Sequence, residues 1–217
     1  NSFQEKLDVL SVATRSRREP VSIVTIAAED FDPLAWPVQP GNYRVIRARA
    51  SIAVLLLGQS PPSDWDFFTA LPQVATVGNL STENIGLEYL VKNLISNPFI
   101  RHLFITGEDV AGHRPGDALL KLKARGLDEN GKIIDAAGAR PVLQNILPTE
   151  AIHFRDQISV HDIIGCRDNT LLAKAIHSAG IIKTRPYPHG LRVLLVDIIE
   201  ARPAKRLQLD PCGSFIL

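Results

Sequence analysis

The sequence predicts an α/β fold: a mainly parallel sheet with helices on both faces, a helix-plus-strand extension in front and a β-hairpin at the end. Three observations carry that expectation. Strand-like and helix-like segments alternate through the middle of the chain, the pattern of parallel strands joined by right-handed crossovers. Residues 52–57 (IAVLLL) form a continuous apolar run ended by Gly58, as in a central strand buried on both faces. Three loops, 58–63, 78–84 and 107–115, each follow a strand-like segment, where open sheets of this kind bind ligands.

In chain order, residues 3–15 read as a helix with Phe3, Leu7 and Leu10 on one face. Residues 21–28 (VSIVTIAA) are rich in β-branched side chains and read as a strand. Residues 32–42 hold three prolines and a glycine and are irregular. Short strands are expected at 43–46 and 74–77, with a short helix at 65–71 between them. Ser81 or Thr82 is expected to cap a helix reaching about Ser96, with Glu83 in its first turn. Ile85, Leu90, Val91, Leu94 and Ile95 supply its apolar face, and Asn97-Pro98 stops it. A strand at 100–106 leads through a loop to a helix that starts at Pro115 and ends at Gly126. Residues 133–145 match no template. A helix at 149–154, a strand at 159–164, a helix at 169–178 and a strand at 191–200 follow, then a hairpin over 206–217 turning at Asp210-Pro211-Cys212-Gly213. Residues 1–30 are thus an extension, 31–165 the main α/β unit, and 166–217 its completion.

Composition excludes several functions. The 217 residues suit one large domain, and 45% apolar with 22% charged residues is ordinary for a packed globule. A net charge of +1 leaves no electrostatic footprint for nucleic acid or anionic lipid. The two cysteines form no CxxC and no disulfide framework, so a reducing, cytoplasmic setting is expected. No apolar run approaches the ~20 residues of a membrane helix. The chain has no methionine and begins at Asn1, as expected of a processed product or a piece of a longer polypeptide. No GxGxxG, P-loop or GxSxG occurs, so neither a nucleotide site nor a serine hydrolase is indicated.

The richest chemistry lies in Gly107-Glu108-Asp109-Val110-Ala111-Gly112-His113-Arg114-Pro115-Gly116-Asp117. Three glycines let backbone approach a ligand closely. A neutral imidazole is a good transition-metal ligand, and a neighbouring carboxylate can orient it through its second nitrogen. The same composition also describes a glycine-rich turn carrying a solvated histidine, and the residues alone favour that reading. His102 lies within a strand; His153, His161, His177 and His189 show no ligand spacing.

Several stretches resemble the soluble domain of the A-subunit of tetrahydromethanopterin S-methyltransferase. They are Trp36-Pro37-Val38, Gly41-Asn42-Tyr43, Thr82-Glu83-Asn84-Ile85-Gly86-Leu87-Glu88, residues 93–101 (NLISNPFIR), the 106–113 loop, residues 126–131 (GLDENG), Ile133-Ile134 and Gly138-Ala139. Their order and spacing agree over more than half the chain. The resemblance implies a Rossmann-like domain holding a cobamide such as cobalamin, with His113 as the lower axial ligand of cobalt. It implies a methyl carrier between a pterin donor and a thiol acceptor, with donor proteins, acceptor proteins or other subunits as partners. Gly58, Ser81, Thr82, Glu83, Asn84, Gly107, Glu108, Asp109, Gly112, Arg114 and Gly116 are the expected cofactor-binding residues. The outer partner of His113 is expected to be Asp109, Glu108, Asp117 or a backbone carbonyl. Two departures stand out: Ser81 replaces the family's usual histidine, and Arg114 brings a cation beside the expected cobalt site. The ending LDPCGSFIL resembles soluble relatives instead, which leaves a second function open: an accessory or interaction domain without corrinoid, associated with a folate, pterin or thymidylate synthase-like enzyme.

Overall fold

The computed structural model describes residues 21–166, 168–182 and 185–195. The expected helix at 3–15 and hairpin at 206–217 lie outside the described residues. Five strands form the main sheet: β2 (Tyr43–Val45), β3 (Ile52–Leu57), β4 (Val74–Leu80), β5 (His102–Gly107) and β6 (Ser159–Asp162), in the order β2-β4-β3-β5-β6. β4, β3, β5 and β6 are mutually parallel, and β2 is an antiparallel edge strand. A separate antiparallel pair joins β1 (Val21–Ile26) to β7 (Gly190–Leu195).

The central position of β3 follows from its sequence. All six of its residues are buried, and period-two alternation sends them into two different cores. Ala53, Leu55 and Leu57 face a core shared with α2 (Ile85–Ile95), α3 (Pro115–Arg125) and α4 (Pro148–Gln157). Ile52, Val54 and Leu56 face the other core with Trp65, with Phe68 of α1 (Asp66–Thr69), and with Leu172, Ile176 and Ala179 of α5 (Asn169–Ile182). Each fully buried Leu or Ile contributes about 1.5–3 kcal/mol, so a strand with both faces covered is the anchor of the sheet.

α2 differs from expectation at its start. Leu87, Val91, Leu94 and Ile95 make its buried stripe, while Ile85 is 58% exposed. Asn84, not Ser81 or Thr82, caps the helix, its Oδ1 accepting the Ile85 N–H at 2.8 Å. Glu83 therefore precedes the first turn, with consequences for the site below. The unassigned stretch between α3 and α4 has no helix or strand. It is anchored by Ile133, Leu143 and Ile146 in the core and by three buried carboxylates. Glu88 accepts the Asn145 N–H at 2.9 Å and its side-chain amide at 2.8 Å. Glu150 accepts the Leu147 N–H at 2.8 Å and pairs with Lys92 at 3.1 Å. Glu83 is the third. Among the described residues no helix is long and apolar enough to cross a membrane.

The chain leaves β3 for β4 on one side and then crosses to β5 on the other. The adjacent ends of β3 and β5 are thus a topological switch point, the position at which open sheets of this kind bind ligands.

Candidate functional site at the switch point

The loop expected to carry chemistry rises from that switch point. β5 ends at Gly107, whose φ of +85° and whose position against Leu57 exclude a side chain, since a Cβ would lie 3.1 Å from the Leu57 backbone N and O. Asp109 then closes the loop on itself. Its Oδ1 accepts the N–H groups of Val110 (3.1 Å) and Gly116 (2.9 Å), and its Oδ2 that of Asp117 (3.1 Å). A carboxylate on these free N–H groups suits the positive end of α3. Asp109 is therefore a cap, and not the partner of His113. Gly116 is buried, with room for no Cβ against Leu57 and Ile164, so it seats the helix on the sheet. Gly112 (φ +83°) and Arg114 (φ +48°, ψ +52°) turn the chain left-handed on either side of His113. A non-glycine residue in that region costs about 1–2 kcal/mol.

This turn presents the His113 side chain, which is 49% exposed, to a carboxylate that is 0% exposed. His113 Nδ1 lies 2.8 Å from Glu83 Oε2. Glu83 Oε1 accepts the Arg140 N–H at 2.6 Å. The expected outer partners of His113, namely Asp109, Glu108 and Asp117, are thus replaced by a residue from the β4–α2 loop. Residues 137–140 form a strap over the pair: Ala137 N–H donates to Asp117 Oδ2 (2.8 Å) and Ala139 N–H to Gly112 O (3.0 Å). Gly138 passes so close to His113 O and Glu83 that a Cβ there would collide with both.

Burial alone would push the Glu83 carboxyl up. The N–H groups of Arg140 and of Glu83 itself, with the His113 imidazole, hold it below the usual carboxylate range. An ionised carboxylate only accepts, so Nδ1–H donates and the lone pair of the neutral ring sits on Nε2. No described group bonds Nε2. Above Gly112, a Cβ would find nothing within 4 Å, so the loop faces open space.

Gly58 (φ +79°) borders the same loop, 3.8 Å from Val110 at its Cβ position, and Glu108 is exposed. Ser81 lines a neighbouring cavity, and Thr82 Oγ1 packs beside Gly86. Arg114 is exposed and forms no ion pair among the described residues; Asp117 instead holds the strap. Four of the other histidines are paired rather than scattered. His102 Nδ1 meets His161 Nε2 at 3.0 Å, and the His153 ring lies 5.4 Å from that of His189. Sequence reasoning missed Arg140, Gly138 and the structural part of Glu83. The available signal is Asn84, which as the cap places Glu83 outside the helix.

A mostly parallel five-stranded sheet flanked by helices, with one carboxylate-buttressed imidazole at its switch point, defines a Rossmann-like α/β domain. Residues 31–201 match the family described as the A-subunit of tetrahydromethanopterin S-methyltransferase. The chain is 36% identical to that protein from Methanohalophilus mahii, over 69% of this chain and 61% of the relative. It is 35% identical to the A-subunit numbered 2 from Methanothermobacter marburgensis, over 71% of this chain and 84% of the relative. It is 34% identical to the A-subunit from Methanosarcina mazei, over 76% of this chain and 66% of the relative. The match thus spans less than two thirds of the length of the Methanohalophilus protein. The chain belongs to the tetrahydromethanopterin S-methyltransferase A-subunit family.

Proposed function

We propose that this domain is a corrinoid-binding methyl carrier of one-carbon metabolism, with His113 Nε2 as the protein ligand to cobalt. One observation carries the reading: the 2.8 Å bond from His113 Nδ1 to the buried Glu83 carboxylate, which directs the lone pair of the ring to Nε2 in open space. This carboxylate–histidine arrangement is the one that raises ligand basicity and fixes ring orientation at metal sites. The donor set also fits the cofactor. Among the described residues no group of three His, Cys, Asp or Glu side chains could hold a metal. A lone imidazole suits an ion whose other ligands come from a macrocycle. When bound, the corrinoid supplies a cobalt centre able to take up and release a methyl group.

The chain's own residues do the positioning. Asp109 and Gly116 fix the loop on the sheet, Glu83 holds the ring and its proton, and the 137–140 strap holds Glu83. Arg114 is exposed, so solvent and salt screen its charge from a nearby ligand. The methyl donor and acceptor are expected on partner proteins or other subunits.

Reconstitution with cobalamin tests this. Wild type should bind with an absorbance spectrum showing histidine in place of the cofactor's own base. His113→Ala should bind at least ~10–100-fold more weakly or without that band, given what loss of an outer partner alone costs. No binding by folded wild type would favour the accessory-domain function.

A further inference from the structure

The amino-terminal rim of the sheet, at the end away from His113, carries a surface that the proposed role of His113 does not use. Residues 49–51 lead into β3, residues 98–101 lead into β5, and residues 185–189 lead into β7. The Arg101 N–H donates to Ser51 O at 2.8 Å and the Tyr187 N–H to Pro98 O at 2.8 Å, so the three segments lie against one another. Together they hold three arginines, Arg49, Arg101 and Arg185, and no aspartate or glutamate. Positive charge is therefore concentrated on this rim, although the whole chain carries only +1.

Two of the guanidiniums are fixed in place. Arg49 Cζ lies 5.4 Å from the centroid of the Phe99 ring, and Arg49 Nη2 donates to Phe31 O at 3.3 Å. Arg101 Cζ lies 5.1 Å from the centroid of the Tyr187 ring, with Nε donating to Gln157 O at 3.2 Å and Nη1 to Arg185 O at 3.0 Å. Nε and Nη1 of Arg49 and Nη2 of Arg101 make no hydrogen bond among the described residues. Arg49 and Arg185 are exposed, and Arg101 is half-buried. None of the three arginines forms an ion pair among the described residues. Asp32, beside Phe31, is engaged instead with the Leu34 N–H at 2.9 Å, and Asp156, beside Gln157, pairs with no described cation.

A stacked guanidinium with unused N–H groups is preorganised for a planar, two-pronged acceptor such as a carboxylate. Arginine and tyrosine are also enriched among the residues that dominate binding energy at protein interfaces. A nucleic acid fits less well, because the Phe99 and Tyr187 rings that would stack bases already carry guanidiniums. An anionic bilayer recruits denser clusters, of about four to eight basic residues. We propose that this rim is a docking surface for an acidic segment of a partner protein, whose carboxylates pair with Arg49, Arg101 and Arg185. The rim and His113 lie at opposite ends of the sheet, so a partner held here leaves the His113 site open to a second protein. The surface does not need cobalt on His113, and it and the proposed carrier function can fail separately.

The test titrates the whole chain into a fluorescein-labelled glutamate-rich peptide, read by fluorescence polarisation at low and at physiological salt. Wild type should bind saturably at micromolar concentration in low salt, and more weakly as salt rises. Arg49→Gln combined with Arg185→Gln should weaken binding about three- to thirtyfold, the worth of two exposed ion pairs. Arg49→Lys keeps the charge but loses the planar fork, so it should weaken binding too. Arg125→Gln removes an exposed arginine of α3 that already pairs with Asp135, and should leave the affinity unchanged. Thermal unfolding confirms that each variant is folded. Absence of peptide binding by wild type would overturn the proposal, as would unchanged affinity in the double variant or an equal loss in Arg125→Gln. So would tighter binding of a single-stranded oligonucleotide or of phosphatidylserine vesicles, or self-association of the chain that the double variant abolishes.

Discussion

The two ends of the parallel sheet each hold a histidine supported by a neighbouring side chain, and they do opposite things with it. At the carboxyl end, His113 is half exposed and its partner is a fully buried carboxylate. At the amino end, His153 is 8% exposed, and its Nε2 lies 2.9 Å from the Gln157 side-chain carbonyl. Gln157 gives its amide hydrogens to the carbonyls of Leu94 (3.1 Å), Asn97 (2.8 Å) and Ile100 (3.1 Å), stitching the α2–β5 turn to α4. Tyr187 and His189 cover the other side of His153, and the Arg101 guanidinium lies 5.1 Å over the Tyr187 ring. The lesson is that the partner and the free nitrogen, rather than the histidine, separate the proposed ligand from a structural element. An ionised carboxylate sharpens a lone pair facing space, whereas an amide buries the ring in a closed network.

The largest expected effect breaks the amino-terminal network. In Gln157→Leu the carbonyls of Leu94 and Asn97 keep the N–H groups of Asn97 and Ile100, whereas Ile100 O and His153 Nε2 lose their Gln157 partner. Since each unsatisfied buried group costs about 1–3 kcal/mol, the variant should lose on the order of 2–5 kcal/mol by urea unfolding. Folded molecules of that variant should still bind cobalamin normally. Loss of binding without loss of stability would dissolve the distinction between the two ends.

Glu83→Gln comes next. It keeps the size and most hydrogen bonds but removes the charge, so cobalamin affinity should fall about tenfold or more, with a small change in unfolding midpoint. Unchanged affinity would mean that the charge does not act through His113. Gly138→Ala then probes the strap. Its methyl group would collide with His113 O and Glu83, so overpacking should cost about 1–3 kcal/mol and raise hydrogen exchange at the Ala139 and Arg140 amides.

Acid should separate the two ends in sequence, as the smallest effect. Burial, aided by His189, pushes His153 below the usual imidazole range. Its stabilisation is complete above about pH 6.5 and is lost as pH falls through its folded value. Glu83 is also depressed, so its stabilisation is complete above about pH 4.3 and is lost only below that. Hydrogen exchange between pH 7 and 5 should therefore rise first around Tyr187 and Gly190, with the 137–140 strap protected until lower pH. The reverse order would contradict both assignments.

The sequence makes the sheet legible and the site only half so. Residues 52–57 read as a central strand because a run buried on both faces has no other use for six consecutive apolar residues. The His113 loop stands out because its glycines, proline and carboxylates are local signals. The His113 partner is not local. Glu83 lies 30 residues away, and a carboxylate near a helix start reads as an exposed first-turn acid unless the tertiary fold is known. Residues 133–145 match no periodicity because they are held by side chains of distant elements, Glu83 and Glu88 among them, rather than by their own repeat.

The central claim is that His113 Nε2 is the protein ligand to cobalt. Electron paramagnetic resonance of the cobalt(II) state, on protein reconstituted with cobalamin and labelled with nitrogen-15 at histidine, tests it most directly. The superhyperfine triplet of unlabelled protein should become a doublet on labelling, and the change should vanish in His113→Ala. The same splitting in labelled and unlabelled wild type, or a labelling effect that survives His113→Ala, would contradict it.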